Sequence, residues 1–252
     1  MAVPFAENAV SGTVESAEVA RFAAMAAEWW DPHGPCRPLH RVNPTRLGFV
    51  RDRLAGQFGR ITTGRQPFAG LGLLDIGCGG GLVSEPMARL GFAVTGIDPA
   101  AENVAVARAH ARAQGLAINY RAEAAEALVA EGAQFDAVLA LEVVEHVVRP
   151  AEFLGMVGRL VRPGGAIVLS TLNRTAKAWA LGIVGAEYVL RWIPRGTHSW
   201  AKFVRPSELA AGVRRAGLDV REVAGMHYDP WADRWSLGPG LDVNYLMFAT
   251  RA

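Results

Sequence analysis

The sequence predicts an α/β fold with a doubly wound, mostly parallel sheet of seven strands, closed by an antiparallel last strand. Three observations predict it. Short apolar runs alternate with helical patterns from residue 71 to residue 171, the rhythm of a parallel sheet built from βαβ units. The first run ends in a glycine turn, Leu74-Asp-Ile-Gly-Cys-Gly-Gly-Gly81, and the next ends in a lone carboxylate, Val94-Thr-Gly-Ile-Asp98. The connection 226–242 before the final run is too short for a crossover helix, so that run pairs antiparallel.

In chain order, residues 1–17 read as an unanchored N-terminus and residues 18–252 as one domain. From Glu18 to Trp30 apolar residues recur at 19, 22, 23, 26, 29 and 30, a helical stripe that Pro32 stops. Four prolines over 31–44 predict an ordered, irregular connection, and a second helix over 46–58 follows. Strands are expected at 71–76, 92–97, 116–121, 135–141 and 165–171. Helices are expected between and after them at 82–90, 101–114, 123–131 and 150–162. Residues 172–205 interrupt the rhythm as an insertion. A helix at 206–216 and strands at 218–225 and 243–250 complete the sheet.

Composition narrows the function. Half the 252 residues are hydrophobic, ample for a large core, and a net charge of +2 argues against nucleic acid as a partner. Cys36 and Cys78 sit in unrelated contexts and suggest no disulfide framework. No signal-peptide pattern and no membrane-spanning apolar stretch is seen, so the chain is expected in the cytoplasm. Glycines at 77, 79 and 81 let a backbone turn sharply and approach a ligand, while Asp98 offers acceptors to ribose hydroxyls. That pairing predicts an adenosine-containing cofactor. A dinucleotide fingerprint needs a third small residue. That slot is Leu82 counted from Gly77 or Ser84 counted from Gly79, so a nicotinamide-dependent dehydrogenase is the most distant reading.

The spacing Asp75-x-Gly77-x-Gly79-x-Gly81 resembles the first motif of class I S-adenosylmethionine (AdoMet) methyltransferases, a Rossmann-like family. Asp98, the strand Phe135-Asp-Ala-Val-Leu-Ala-Leu141 with Glu142 behind it, and Leu160-Val-Arg-Pro-Gly-Gly-Ala-Ile-Val-Leu-Ser170 follow in that family's order. Further motifs are more specific: Trp29-Trp-Asp31, Pro38-Leu-His-Arg-Val-Asn-Pro-Thr-Arg46, Glu142-Val-Val-Glu-His146, Ser170-Thr-Leu-Asn-Arg174, Gly196-Thr-His198 and Gly238-Pro-Gly-Leu-Asp-Val-Asn-Tyr245. From about Glu18 onward they resemble the ubiquinone-biosynthesis O-methyltransferases of bacteria and their mitochondrial relatives. The resemblance implies methyl transfer to phenolic hydroxyls of polyprenylated precursors at both O-methylation steps. The alternatives are a methyltransferase for another small aromatic or lipid acceptor, and a non-catalytic AdoMet-binding assembly subunit.

The resemblance carries cofactor binding to Arg46, Gly77 and Asp98. Arg46 would grip the AdoMet carboxylate, which a guanidinium fork recognises. Gly79 yields space, Leu141 offers backbone at the end of the fourth strand, and Glu123 stands where adenine is placed; a solvated acid at a helix start is the competing reading of Glu123. Glu142, Glu145 and His146 share a face if helical. They are the candidate metal ligands, with magnesium or manganese favoured by the carboxylates and zinc left open by the histidine. Glu142 and His146 are also the candidate catalytic pair, His146 as a general base without metal. Trp29 and Trp30 read either as a lid over the cofactor or as core. Residues 176–203 mix aromatics with Lys177, Arg191, Arg195 and Lys202 against Glu187, four minus one or +3. That mixture suits an anionic membrane surface, where an insoluble polyprenyl substrate would be met, or a cap over the substrate pocket. Other enzymes of the same pathway are possible partners.

Overall fold

The structure, a computed structural model, describes residues 12–180 and 200–252. Its strands are β1 (Gly72–Ile76), β2 (Ala93–Asp98), β3 (Asn119–Ala122), β4 (Phe135–Leu141), β5 (Val161–Leu172), β6 (Asp219–Asp229), β7 (Arg234–Gly238) and β8 (Asn244–Thr250). They form one sheet in the order β3-β2-β1-β4-β5-β8-β6-β7. β1 to β5 pair in parallel, and β8 lies antiparallel between β5 and β6. The expected antiparallel last strand is therefore present. The sheet has eight strands rather than seven, because the 226–242 connection folds back as β7 on β6, from Gly225↔Gly238 to Asp229↔Arg234. β7 is short and largely exposed, so no buried apolar alternation announced it. Its turn chemistry was visible: the Asp229 side chain accepts from the amides of Trp231 and Ala232, a local turn bond.

The central strands β1, β4 and β5 are buried on both faces and read as continuous apolar runs. One face packs against α5 (Ala125–Ala130), α6 (Pro150–Leu160) and α8 (Pro206–Arg215). The other packs against α2 (Arg37–Gln57) and α3 (Ser84–Arg89), with Phe49, Leu54, Phe68 and Met87 completely buried. α4 (Ala101–Ala113) covers β2 and β3. The remaining short helix, α7 (Ala176–Ala178), opens the insertion.

The N-terminal third departs from expectation. α1 (Ser16–Ala23) stops early and a 3₁₀ turn, Ala26–Glu28, replaces its last part. The irregular connection expected over 31–44 is helical from Arg37, so α2 runs 21 residues and carries Pro44 inside it. Pro38 sits in the first turn, where no amide donor is needed. Past Pro44 the buried residues Val42, Asn43, Arg46, Phe49, Val50 and Leu54 keep helical spacing, and their burial outweighs one missing backbone bond. Residues 12–17 belong to the folded unit: Thr13 is buried and Val14 bridges Val147. Residues 181–199, the body of the insertion, lie outside the described residues.

Candidate active site

The strand order reverses between β1 and β4, and ligands of open α/β sheets bind in the crevice at that switch point. Here the C-terminal ends of β1, β2 and β4 deliver Gly77, Asp98 and Glu142 to one cavity of about 710 Å³. Arg46, Leu141, Glu123, Trp29 and His146 also line it. The structure thus brings most of the sequence-derived candidates to one place, with Gly79 immediately behind and Glu145 below.

Gly77 turns at φ 69°, and an added Cβ would stand 2.8 Å from Val143 Cγ2. Only glycine fits that turn without displacing the residue after Glu142. Gly79, at φ 52°, is approached by the Trp29 ring, which a Cβ would meet at 2.4 Å. The space that Gly79 yields is filled by Trp29, whose indole N–H donates to Asn103 Oδ1 at 2.8 Å. Trp29 is both core, beside Cys36 and Leu82, and cavity wall. Trp30 stacks on His110 at 3.5 Å and donates to the Gly80 carbonyl.

Asp98 is buried and collects three protein donors: Gly79 N–H at 3.0 Å, Ala100 N–H at 2.9 Å and Asn103 Nδ2 at 3.2 Å. Burial pushes its carboxyl above the usual range, and those donors pull it back. A carboxylate has about four acceptor sites, so about one remains for a ribose hydroxyl. Asn103, wholly buried, holds both Asp98 and Trp29; inside a helical pattern it carried no signal of its own.

Arg46 is buried at 4% and paired through its NH2 with Glu142 Oε1, while its Nε has no protein partner. Glu142 stands at φ 57°, rare for a residue other than glycine and a mark of local strain. Its amide donates to the Ser170 carbonyl, and the Ser170 hydroxyl donates to its Oε1 at 2.8 Å. The open Arg46 Nε, the Gly77 turn and Asp98 together fit a cofactor carrying a carboxylate at one end and a ribose at the other. Glu123 is paired with Arg121 at the rim, the ordinary role of a surface acid.

The expected metal set is divided. Glu145 is buried beneath the cavity; its Oε2 accepts from the Thr171 hydroxyl at 2.9 Å and its Oε1 has no partner. Burial, then the neighbouring Glu142 carboxylate, raises its pKa well above the usual range. Glu142 faces Arg46, and His146 turns the other way: its Nδ1 is 3.1 Å from Glu18 Oε2, on α1. A 3₁₀ turn spans Val144–His146, so the shared α-helical face does not form. Among the described residues no three His, Cys, Asp or Glu side chains come together as a metal site. The three candidates do not fit a common cation. Glu18 was missing from the candidates, since nothing local distinguishes one helical glutamate 128 residues from its partner.

Similarities to known proteins follow this geometry. Residues 74–169 match a family described as a methyltransferase domain. A ubiquinone biosynthesis O-methyltransferase of Parvibaculum lavamentivorans is 52% identical over 247 residues, covering 98% of each chain. A second, from Paramagnetospirillum magneticum, is 55% identical over 240 residues, 95% of this chain and 96% of that protein. Among solved structures, a magnesium protoporphyrin IX methyltransferase from Synechocystis with bound AdoMet aligns at a TM-score of 0.58 and 16% identity, covering 96% of this chain and 100% of that one. An AdoMet-dependent methyltransferase from Thermotoga maritima, a possible histamine N-methyltransferase, aligns at 0.60 with 17% identity, covering 94% and 100%. At such identities the structural matches speak for the fold.

Proposed function

The chain belongs to the ubiquinone biosynthesis O-methyltransferase family, and from that premise we propose how its residues carry out AdoMet-dependent O-methylation of a prenylated phenol, at both O-methylation steps of the pathway. The observation that carries the residue assignment is the single cavity joining Asp98, Gly77 and Arg46 to His146. Asp98 takes a ribose hydroxyl, the Gly77 turn leaves room for the cofactor, and Arg46 offers its remaining N–H groups to a carboxylate while Glu142 steadies it. Bound AdoMet supplies a methyl group on a positively charged sulfur, an intrinsically good leaving arrangement.

The protein's part is to hold the phenol in line with that methyl and take its proton. His146 is the group for the proton: it lines the cavity, and imidazole titrates near neutral pH. Glu142 is held by Arg46 and Ser170, so its part is positioning. No step is routed through a divalent cation, because the candidate ligands do not converge. The test is incubation with AdoMet and a short-chain prenyl catechol, read by product mass. One added methyl is expected, with turnover persisting in chelator. His146→Gln is expected to lower kcat on the order of 10²-fold or more while leaving AdoMet affinity nearly unchanged. Full turnover in that variant would remove His146 as the base. Loss in chelator with recovery on adding magnesium would show the three acidic and imidazole groups regrouping around an ion.

We also read residues 176–203 as a contact with anionic membrane, the surface where a polyprenyl substrate resides. Trp179 and Trp200, at 49% and 44% exposure, flank the part outside the described residues. Lys177 is 3.0 Å from Asp242 and Lys202 is 2.7 Å from Glu15, so two of the four basic side chains are engaged within the protein. Arg191 and Arg195 are left to carry the attraction. No helix among the described residues is long and apolar enough to cross a membrane. Reversing Arg191 and Arg195 to glutamate is expected to weaken co-sedimentation with anionic vesicles and spare turnover of a soluble catechol. Undiminished pelleting of that variant would sink this reading.

A further inference from the structure

We infer that Glu18 is the positioning residue of His146: its carboxylate, delivered by the N-terminal helix, fixes the orientation and tautomer of the imidazole that takes the phenol proton. The inference builds on the reading of His146 as base.

Two residues of one helical face flank the imidazole. Glu18 Oε2 is 3.1 Å from Nδ1, and the Phe22 ring meets the imidazole edge-on at 5.1 Å and 83°. Four residues apart, they are neighbours on α1. The chain just before α1 is tied to the chain just after His146. Val14 bridges Val147, the Val148 amide donates to the Thr13 carbonyl at 2.8 Å, and Arg149 donates to the Gly12 carbonyl at 2.7 Å. Thr13 is anchored in turn by its amide and hydroxyl, both donating to Glu126 at 2.8 Å. The relative placement of Glu18 and His146 is therefore set by backbone, not by two loose side chains.

The charge around Glu18 suits the role. Burial alone would raise its pKa, but the hydrogen bond and charge of His146, joined by Arg21 and Lys202, bring it down to about 2. Lys202 Nζ reaches Glu18 Oε1 at 3.2 Å and Glu15 Oε2 at 2.7 Å. A carboxylate on Nδ1 favours the tautomer with its proton there, which makes Nε2 the acceptor. The phenol O–H bond then breaks as Nε2–H forms. The oxygen gains its bond to the methyl carbon as the carbon–sulfur bond breaks, and that electron pair stays on sulfur. The imidazolium left behind faces an ionised carboxylate until solvent takes the proton.

The competing explanation is that Glu18 only clasps α1 to Lys202. Full-length parent, Glu18→Gln, His146→Gln, the double variant and Lys202→Met separate the two. The readouts are kcat and KM on a soluble prenyl catechol, AdoMet affinity, and the ¹⁵N imidazole signals of His146. Glu18→Gln is expected to lower kcat on the order of tenfold or more, with AdoMet affinity nearly unchanged and the ¹⁵N signals shifting away from the Nδ1-protonated form. The double variant is expected to be no slower than His146→Gln, and Lys202→Met to keep the parent ¹⁵N pattern. An equal loss from Glu18→Gln in both backgrounds, or an unchanged ¹⁵N pattern in Glu18→Gln, would overturn the inference. If His146→Gln alone keeps full turnover, the base reading fails, and the ¹⁵N pattern still decides whether Glu18 sets the tautomer.

Discussion

Asp98 receives three protein donors at the end of β2, and that crowding sets the size of its contribution to cofactor binding. With about one acceptor site left, Asp98→Ala removes one charge-assisted hydrogen bond to ribose, worth about 1.5–3 kcal/mol. AdoMet affinity is expected to fall about tenfold or more. Calorimetry on the folded variant checks this, and unchanged affinity would take Asp98 out of the site. Residues such as Asp98 and Gly77 were legible because their chemistry is local: a carboxylate closing a strand and a turn at positive φ leave marks within a few positions. Asn103 and Glu18 were not. Each acts across 74 or 128 residues of chain, on Trp29 and His146, and such partners meet only once the sheet has assembled. Glu145 was legible as an acid but not in its surroundings, since the turn that buries it depends on β5 and Thr171.

Strands β1 to β5 and the helices between them were legible because burial imposes its own periodicity on them; β4 matches its expected span from Phe135 to Leu141. β7 and the start of α2 were not, for opposite reasons. β7 is an exposed edge with no buried stripe to reveal it. In α2 the prolines argued for a break, while the deciding term was tertiary burial of residues 42–54. That helix reaches the site through one contact, the pair between Arg46 and Glu142, which ties α2 to the end of β4. With Arg46 at 4% and Glu142 at 18% exposure, removing either partner strands a largely buried charge. Arg46→Ala is expected to destabilise by about 3 kcal/mol, at the low end for a broken buried pair because Glu142 keeps its Ser170 bond. Arg46→Ala combined with Glu142→Ala should cost clearly less than the two single losses added together. Denaturant unfolding of the four proteins measures the cycle, and strict additivity would show that the pair does not couple helix to strand.

Across the whole molecule, the switch-point crevice gathers acids where the fold excludes water, and this gives the protein an unusual dependence of stability on pH. Asp75 is buried beneath the glycine turn; burial lifts its pKa to about 7, and the Ser84 hydroxyl at 2.5 Å only partly offsets this. Glu145 and Asp98 are raised too, each chiefly by burial. A carboxyl whose pKa is higher folded than unfolded binds its proton more tightly in the native state. Between the unfolded value near 4 and the folded value the native state holds more protons, so unfolding becomes easier as pH rises through that window. For Asp75 the window closes near pH 7, and the loss across it is on the order of 3–4 kcal/mol, at about 1.4 kcal/mol per unit. Glu18 and Glu126 act with the opposite sign, since both are lowered on folding. Their contribution is complete above about pH 4.5 and fades only in more acidic solution, so it does not mask the window between 5 and 7. The cofactor-free protein is therefore expected to resist denaturant better at pH 5 than at pH 7.5. Asp75→Asn keeps an acceptor for Ser84 and removes the titration, so it should flatten most of that slope and stabilise the protein at pH 7.5. An equal slope in parent and Asp75→Asn would mean that Asp75 keeps an ordinary pKa in its buried place, and that the slope belongs to Glu145 and Asp98 alone.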